Sequence, residues 1–266
     1  MVKGLDIFRE RLSKFAESMT FIGGAACDEW FAAVGLEFRT TKDLDIVLLI
    51  EVIAPEAIKA LRIFINEGGY QIRQRTDGVP VLFRFAQPTN ERFPLELEFF
   101  CRKPDGLFLG EAQNIIPLLV GADHHSLSAI LLNDDYYALI QTHKIVRNGL
   151  AFANATALIP LKARAWLDLT NRKRSGEVID TQKITKHRND IFRLAATLPQ
   201  TKGPKLSDVI TSDLVRFLNS FSTSSSEWES ILNALKGTLG GKFLPKVLYA
   251  SIQNYFSLPE GVGPRL

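Results

Sequence analysis

The first part of the chain mixes two patterns of apolar residues, one typical of helices and one typical of strands. Apolar residues at helical spacing predict helices over 6–18, 25–34, 55–66 and 134–142. Runs rich in β-branched and aromatic residues predict strands over 19–22, 45–51, 93–101 and 127–132. Hairpins are predicted over 70–86, with a turn at Asp77-Gly78, and over 145–152. Helices and short strands in this mixture indicate an α+β core.

The pattern changes in the second part of the chain, where only helical spacing continues. Helices are predicted over 157–172, 181–197, 207–220, 226–236 and 244–256, separated by Gly, Ser and Pro. We therefore expect two domains, a mixed-sheet domain over residues 1–120 and a mainly helical C-terminal domain over 121–266.

The composition is that of a globular protein and narrows the function only slightly. Hydrophobic residues make up 46% of the chain and charged residues 23%, which is ordinary for a soluble domain. No apolar run is long enough to span a bilayer, and the N-terminus lacks the apolar core of a signal peptide, so we expect no membrane partner. A disulfide between Cys27 and Cys101 is one alternative, but a reduced cytoplasmic protein is the simpler interpretation.

Candidate chemistry is concentrated near the start of the chain. The strand over 19–22 ends in Gly23-Gly24, and a turn of this kind before a helix offers backbone N–H groups to a phosphate. Asp43 and Asp45 open the strand that follows, and residues at i and i+2 of a strand point to the same side. Two neighbouring carboxylates favour a hard cation such as Mg²⁺. A metal site beside a phosphate cradle predicts nucleotide chemistry.

These residues resemble the motif of the DNA polymerase beta superfamily of nucleotidyltransferases. That motif is a strand, a glycine pair, a helix, and then a strand that carries Asp-x-Asp. The form found here, Gly23-Gly-Ala-Ala followed by Arg39-Thr-Thr-Lys-Asp-Leu-Asp45, is similar to the AbiEii-type toxin nucleotidyltransferases. The resemblance implies a nucleotidyltransferase-like sheet core and adds Arg39 and Thr41 to the nucleotide-binding residues. The chain departs from the motif at Ala25, where the family usually has Ser.

A third acid is expected on the strand over 93–101. Glu96 and Glu98 alternate with apolar residues on this strand and therefore lie on one face. The resemblance implies a third metal ligand or base from a later strand, and we favour Glu98, with Glu96 as the alternative. A strand with its polar residues turned toward solvent would show the same alternation.

Two helical segments, 161–168 and 186–194, resemble further blocks of the AbiEii-type family, so that the resemblance runs from about residue 20 to 195. It implies that Lys162 and Lys186 offset phosphate charge and that Asp190 completes the catalytic site. The alternative is a helical bundle whose faces are joined by ion pairs, which charged residues at these spacings commonly form.

The expected function is the Mg²⁺-dependent transfer of a nucleoside monophosphate from an NTP to an acceptor hydroxyl. The resemblance implies an RNA acceptor such as tRNA and a cognate antitoxin protein as partner. Two alternatives stay open. Ala25 fits a catalytically inactive homologue that binds a nucleotide or a partner, and the acceptor can instead be a small molecule such as an antibiotic.

Overall fold

The computed structural model describes residues 2–74, 80–103, 115–117, 128–221, 225–239 and 243–259. The turn predicted at Asp77-Gly78 lies outside these residues. The chain forms two compact units, the first from Met1–Trp30 and Arg39–Asn154 and the second from Phe31–Phe38 and Ala155–Leu266. No helix in the described ranges is long and apolar enough to cross a membrane.

The first unit is a mixed sheet with helices. Its helices are α1 (Leu5–Leu12), which continues as a 3-10 segment over Ser13–Ser18, α3 (Pro55–Gly68) and α4 (Asp134–Thr142), and α2 (Gly23–Ala33) begins in this unit. Its strands are β1 (Met19–Ile22), β2 (Asp43–Leu48), β3 (Gln71–Gln74), β4 (Pro80–Ala86), β5 (Glu96–Cys101), β6 (Ile115–Pro117), β7 (Ser128–Leu131), β8 (Lys144–Arg147) and β9 (Leu150–Ala153). The strand order is β3-β4-β5-β2-β1-β9-β8, and β7 pairs with both β5 and β6.

Strand β2 lies at the centre of this sheet, antiparallel to β1 and parallel to β5. The alternation of side chains along β2 and β5 places Leu44, Ile46, Leu97 and Phe99 on one face, and all four are fully buried. The rings of Phe21, Phe8 and Phe64 follow one another at centroid distances of 5.1 and 5.2 Å. Phe21 pairs with Ile46 across the strands, so this aromatic core lies on the same face. The other face of β2 and β5 is left for the acidic residues.

The second unit is helical. It contains α5 (Ala155–Arg174), α6 (Thr181–Ala195), α7 (Asp208–Asn219), α8 (Glu227–Leu239) and α9 (Pro245–Tyr255). Asp180 and Ser207 cap α6 and α7 by accepting hydrogen bonds from backbone N–H groups of the first turn. The core is aromatic: Phe192 packs against Trp228 at 4.7 Å between centroids, and Trp166 packs against Phe217 and Phe221.

The mixed α+β class expected from the sequence is confirmed. Several details differ, and among them β2 ends at Leu48 rather than at residue 51 and β5 begins at Glu96 rather than at residue 93. The first predicted helix is α-helical only to Leu12, β2 begins two residues earlier than expected, at Asp43, and β6 was not predicted. The two units divide at Asn154 and Ala155, whereas the sequence analysis placed a domain boundary between residues 120 and 121. The physical reason is that β9 returns to pair in parallel with β1, which brings the β8–β9 hairpin into the first sheet.

Candidate functional site

Four carboxylate residues share one face of the sheet at the β2–β5 pair. In the parallel register, Asp43 lies opposite Glu96 and Asp45 lies opposite Glu98. Residues paired in this way point to the same side of a sheet, and the i, i+2 spacing keeps both residues of each strand on that side. The backbone pairing begins just before the acids, where Leu95 N donates to Lys42 O at 2.8 Å. The structure thus places Asp43, Asp45, Glu96 and Glu98 on one face of the sheet, and their role as metal ligands stays a prediction.

Gly23 lies directly beneath the side chain of Asp45. Strand β1 pairs Ile22 with Asp45, so the chain reaches Gly23 at the acidic face. Gly23 has a φ of +65°, and a Cβ on it would overlap Oδ2 of Asp45 and lie 2.8 Å from Cγ. Only glycine combines this left-handed conformation with so close an approach. The first glycine therefore sets the distance between the start of α2 and the Asp45 carboxylate.

The second glycine is fitted to Thr41 in the same way. A Cβ on Gly24 would lie 3.1 Å from Cβ of Thr41 and closer still to its Oγ1. Thr41 is buried, and its backbone carbonyl accepts a hydrogen bond from Lys3 N at 3.5 Å. Arg39, two residues earlier, donates from Nη1 to Thr40 O at 3.5 Å. The candidate residues of the motif, Gly23, Gly24, Arg39, Thr41, Asp43 and Asp45, all belong to the first unit.

One further residue, Arg84 on β4, belongs to this face and was missed by the sequence analysis. It lies opposite Glu98 in the antiparallel β4–β5 register. Its Nη2 and Nε contact Oε1 of Glu98 at 2.6 and 3.0 Å, and its Nε contacts Oε1 of Glu96 at 3.1 Å. Burial lowers the pKa of Arg84, but the carboxylates of Glu98, Glu96 and Asp45 raise it by more. The acidic face thus contains a cation of its own.

The donor chemistry of this face suits Mg²⁺, which prefers carboxylate oxygens. Within the described residues, however, no three His, Cys, Asp or Glu side chains are already arranged around one point as a metal site. Glu98 and Glu96 instead contact the guanidinium of Arg84. Magnesium binding therefore stays a prediction.

Comparisons of this chain with protein-family models, curated proteins and solved structures found no match. The resemblance to AbiEii-type nucleotidyltransferases accordingly depends on the motif residues alone. The residue after the glycine pair, Ala25, is fully buried at the start of α2.

The second unit holds the other residues expected at the site. Nζ of Lys162 on α5 contacts Oδ2 of Asp190 on α6 at 3.0 Å, and Asp190 is fully buried. Nη1 of Arg193 contacts Oδ1 of the same carboxylate at 2.9 Å. Lys186, one turn earlier on α6, is exposed. Lys162 and Asp190 thus form an ion pair between two helices, as expected under the alternative of a helical bundle joined by ion pairs. Their role in nucleotide binding stays a prediction.

Arg193, like Arg84, contacts a candidate site residue and was not selected by the sequence analysis. Its spacing of i+3 from Asp190 was a usable signal, because residues three apart share a helix face. Its Nη2 also donates to the carbonyl oxygen of Ala234 on α8 at 2.8 Å. Arg193 therefore links the buried Asp190 to a third helix.

Proposed function

We propose that this protein is a Mg²⁺-dependent nucleotidyltransferase that transfers a nucleoside monophosphate from an NTP to an acceptor hydroxyl and releases pyrophosphate. The observation that supports it best is the parallel β2–β5 register, which pairs Asp45 with Glu98 on the face where Gly23 approaches the Asp45 carboxylate. An acidic face beside a glycine turn and a helix start combines metal ligands with donors for phosphate. The nucleotidyltransferase-like core is part of this proposal.

Each candidate site residue of the first unit has a role in the proposed reaction. Asp43 and Asp45 would hold the metal ion, with Glu98 as the third ligand or as the base for the acceptor hydroxyl, and Glu96 as the alternative. The bound ion would offset the charge of the triphosphate during transfer. Gly23, Gly24, Arg39 and Thr41 would bind the nucleotide, the glycines through backbone N–H groups at the start of α2.

The residues of the second unit extend the proposal. Lys162 and Lys186 would offset phosphate charge, and Asp190 would orient Lys162 through their contact at 3.0 Å. The acceptor we propose is an RNA, such as tRNA, and the partner is a cognate antitoxin protein. Both follow from the resemblance of the motifs. A cytoplasmic location is proposed separately, because a reduced protein is the simpler interpretation of Cys27 and Cys101.

The proposal is tested by incubating the protein with Mg²⁺ and each NTP labelled at the α-phosphate, which is the transferred phosphate, in the presence of either total RNA or aminoglycosides. Label transferred to RNA supports the proposed acceptor, and label on the aminoglycoside supports the small-molecule alternative. Asp43→Asn together with Asp45→Asn should abolish transfer, because the amide groups remove two negative metal ligands. Asp6→Asn, an exposed acid in the first turn of α1, is the matched control and should transfer at the native rate. Native-rate transfer by the double variant would overturn the site assignment.

A catalytically inactive homologue is the second candidate, and Ala25 favours it. The side chain at this position lacks the hydroxyl of the usual Ser and is fully buried. This candidate predicts that the protein binds NTP in a calorimetric titration but transfers nothing to either acceptor. Ala25→Ser would then be the variant to examine for a gain of transfer.

A further inference from the structure

Arg84 makes direct contact with the residues to which the proposed function assigns the metal ion. Its guanidinium contacts Glu98 through two nitrogen atoms and Glu96 through one, at 2.6 to 3.1 Å. The guanidinium therefore contacts both glutamates of β5, on the face of the sheet that also carries Asp43 and Asp45.

A divalent cation and this guanidinium would be held by the same carboxylates, and their positive charges would therefore lie close together. Like charges held a few ångströms apart near a protein surface repel one another by several kcal/mol at an effective dielectric constant of about 20. Carboxylate oxygens that accept short hydrogen bonds from arginine are also less available to a metal ion. About one third of the Arg84 side chain is exposed (34%), so it lies at the surface of this face, where it can move away.

We propose that Arg84 is a built-in counter-cation of the acidic face that competes with a divalent cation for Glu98 and Glu96. This inference rests on the proposed function and adds a residue that controls metal binding. The protein without metal keeps its carboxylates neutralised in part by Arg84. Binding of the metal requires the guanidinium to release Glu98, and the affinity for metal is lower by the cost of that release.

The test is a titration of the full-length protein with Mn²⁺, followed by the electron paramagnetic resonance of the free ion. Arg84→Gln removes the positive charge and should bind Mn²⁺ more tightly than the wild type, by about tenfold or more. Arg84→Lys keeps the charge and should stay close to the wild-type affinity. A role of Arg84 in holding the sheet together would predict the opposite change, weaker binding in both variants.

The matched control is Arg102, which forms an ion pair with Glu51 beyond the other end of β5. Glu51 also accepts a hydrogen bond from the Tyr137 hydroxyl at 2.5 Å. Arg102→Gln removes the same charge from the same sheet without touching the acidic face. It should leave the Mn²⁺ affinity unchanged.

A second measurement uses the wild-type protein and does not depend on the folding of any variant. Addition of Mg²⁺ should shift the Nε–H resonance of Arg84 in a nitrogen-15 spectrum and leave that of Arg102 unchanged. An unchanged Arg84 resonance at saturating Mg²⁺ would overturn the inference. So would equal or weaker Mn²⁺ binding by Arg84→Gln, or equal tightening in Arg84→Lys.

The outcomes separate this inference from the proposed function. A protein that transfers nucleotide and loses transfer in the Asp43→Asn, Asp45→Asn variant, but binds Mn²⁺ equally in Arg84→Gln, overturns only the role of Arg84. A protein in which neither the wild type nor Arg84→Gln binds Mn²⁺ overturns both. Tighter Mn²⁺ binding in Arg84→Gln without any transfer supports the inference and favours the inactive alternative.

Discussion

The backbone of Gly23 has a φ of +65°, and its Cα lies against the carboxylate of Asp45. Gly23→Ala should therefore destabilise the protein in two ways. A non-glycine residue in the left-handed region costs about 1–2 kcal/mol. Forcing the Asp45 side chain aside should add about 1–3 kcal/mol, the usual cost of an oversized side chain in a packed site. Urea unfolding measures the sum, and Mn²⁺ binding should weaken in the same variant because Asp45 is displaced.

Gly149→Ala is the control that separates these two costs. Gly149, in the turn between β8 and β9, has a φ of +77°, but a Cβ there would meet nothing within 4 Å. This variant should lose only the conformational part, about 1–2 kcal/mol, and keep the native Mn²⁺ affinity. Equal losses of stability in the two variants would mean that the contact between Gly23 and Asp45 has no energetic consequence.

The same residues show which parts of the site the sequence could predict. The shared side of Asp43 and Asp45 follows from the period of two along a strand, which is a local property. The pairing of Asp45 with Glu98 is not local, because a parallel register is set by the packing of the segments between the strands. Arg84 was missed for the same reason: nothing local to β4 shows that it lies opposite Glu98.

At the scale of elements, α5 and α6 are joined by the buried group Lys162, Asp190 and Arg193. Asp190→Asn removes the negative charge that both cations contact. Breaking a buried ion pair from one side typically costs about 3–5 kcal/mol. We expect a loss of this size in the free energy of unfolding, measured by urea denaturation.

The control for Asp190 lies at the other end of α5. Arg172 and Glu177 form an ion pair at 2.8 Å that is about half exposed on both sides. The hydrogen bond from Arg172 lowers the pKa of Glu177, yet exposed pairs contribute little to stability. Glu177→Gln should leave the unfolding curve nearly unchanged. A loss in Asp190→Asn no greater than in Glu177→Gln would contradict the assignment of the buried group as the joint between the helices.

Most element bounds followed from the sequence because they depend on local signals. The bounds of β1 and α4 agree with prediction to the residue, since α4 starts after the Asn133 cap and β1 ends at the glycine pair. The start of β2 was placed two residues late, because Asp43 is a poor strand former and is held there by its pairing with Glu96. Propensity alone does not include that pairing.

At the scale of the whole molecule, the order of residues along the chain and their grouping in space differ. Phe31–Phe38 belongs to the second unit, although the residues before and after it belong to the first. Helix α2, which begins at the glycines of the proposed site, therefore ends in the other unit. The rings of Phe31 and Phe38 lie 5.0 Å apart, and Phe31 is fully buried. Cutting the chain after residue 154 therefore does not separate the two units, because Phe31–Phe38 of the second unit stays on the N-terminal fragment.

This grouping gives a prediction for fragments of the chain. A fragment of residues 1–154 contains Phe31–Phe38 without the rest of the unit to which those residues belong. It should expose apolar surface, bind the dye ANS and unfold with low cooperativity, because burial of large aromatic side chains contributes about 1.5–3 kcal/mol each.

Adding a fragment of residues 155–266 should reduce ANS binding and restore a cooperative transition. The control is the 155–266 fragment carrying Asp190→Asn, which should complement less well because its own helical core is weakened. A 1–154 fragment that unfolds cooperatively by itself, with no ANS binding, would contradict the assignment of Phe31–Phe38 to the second unit.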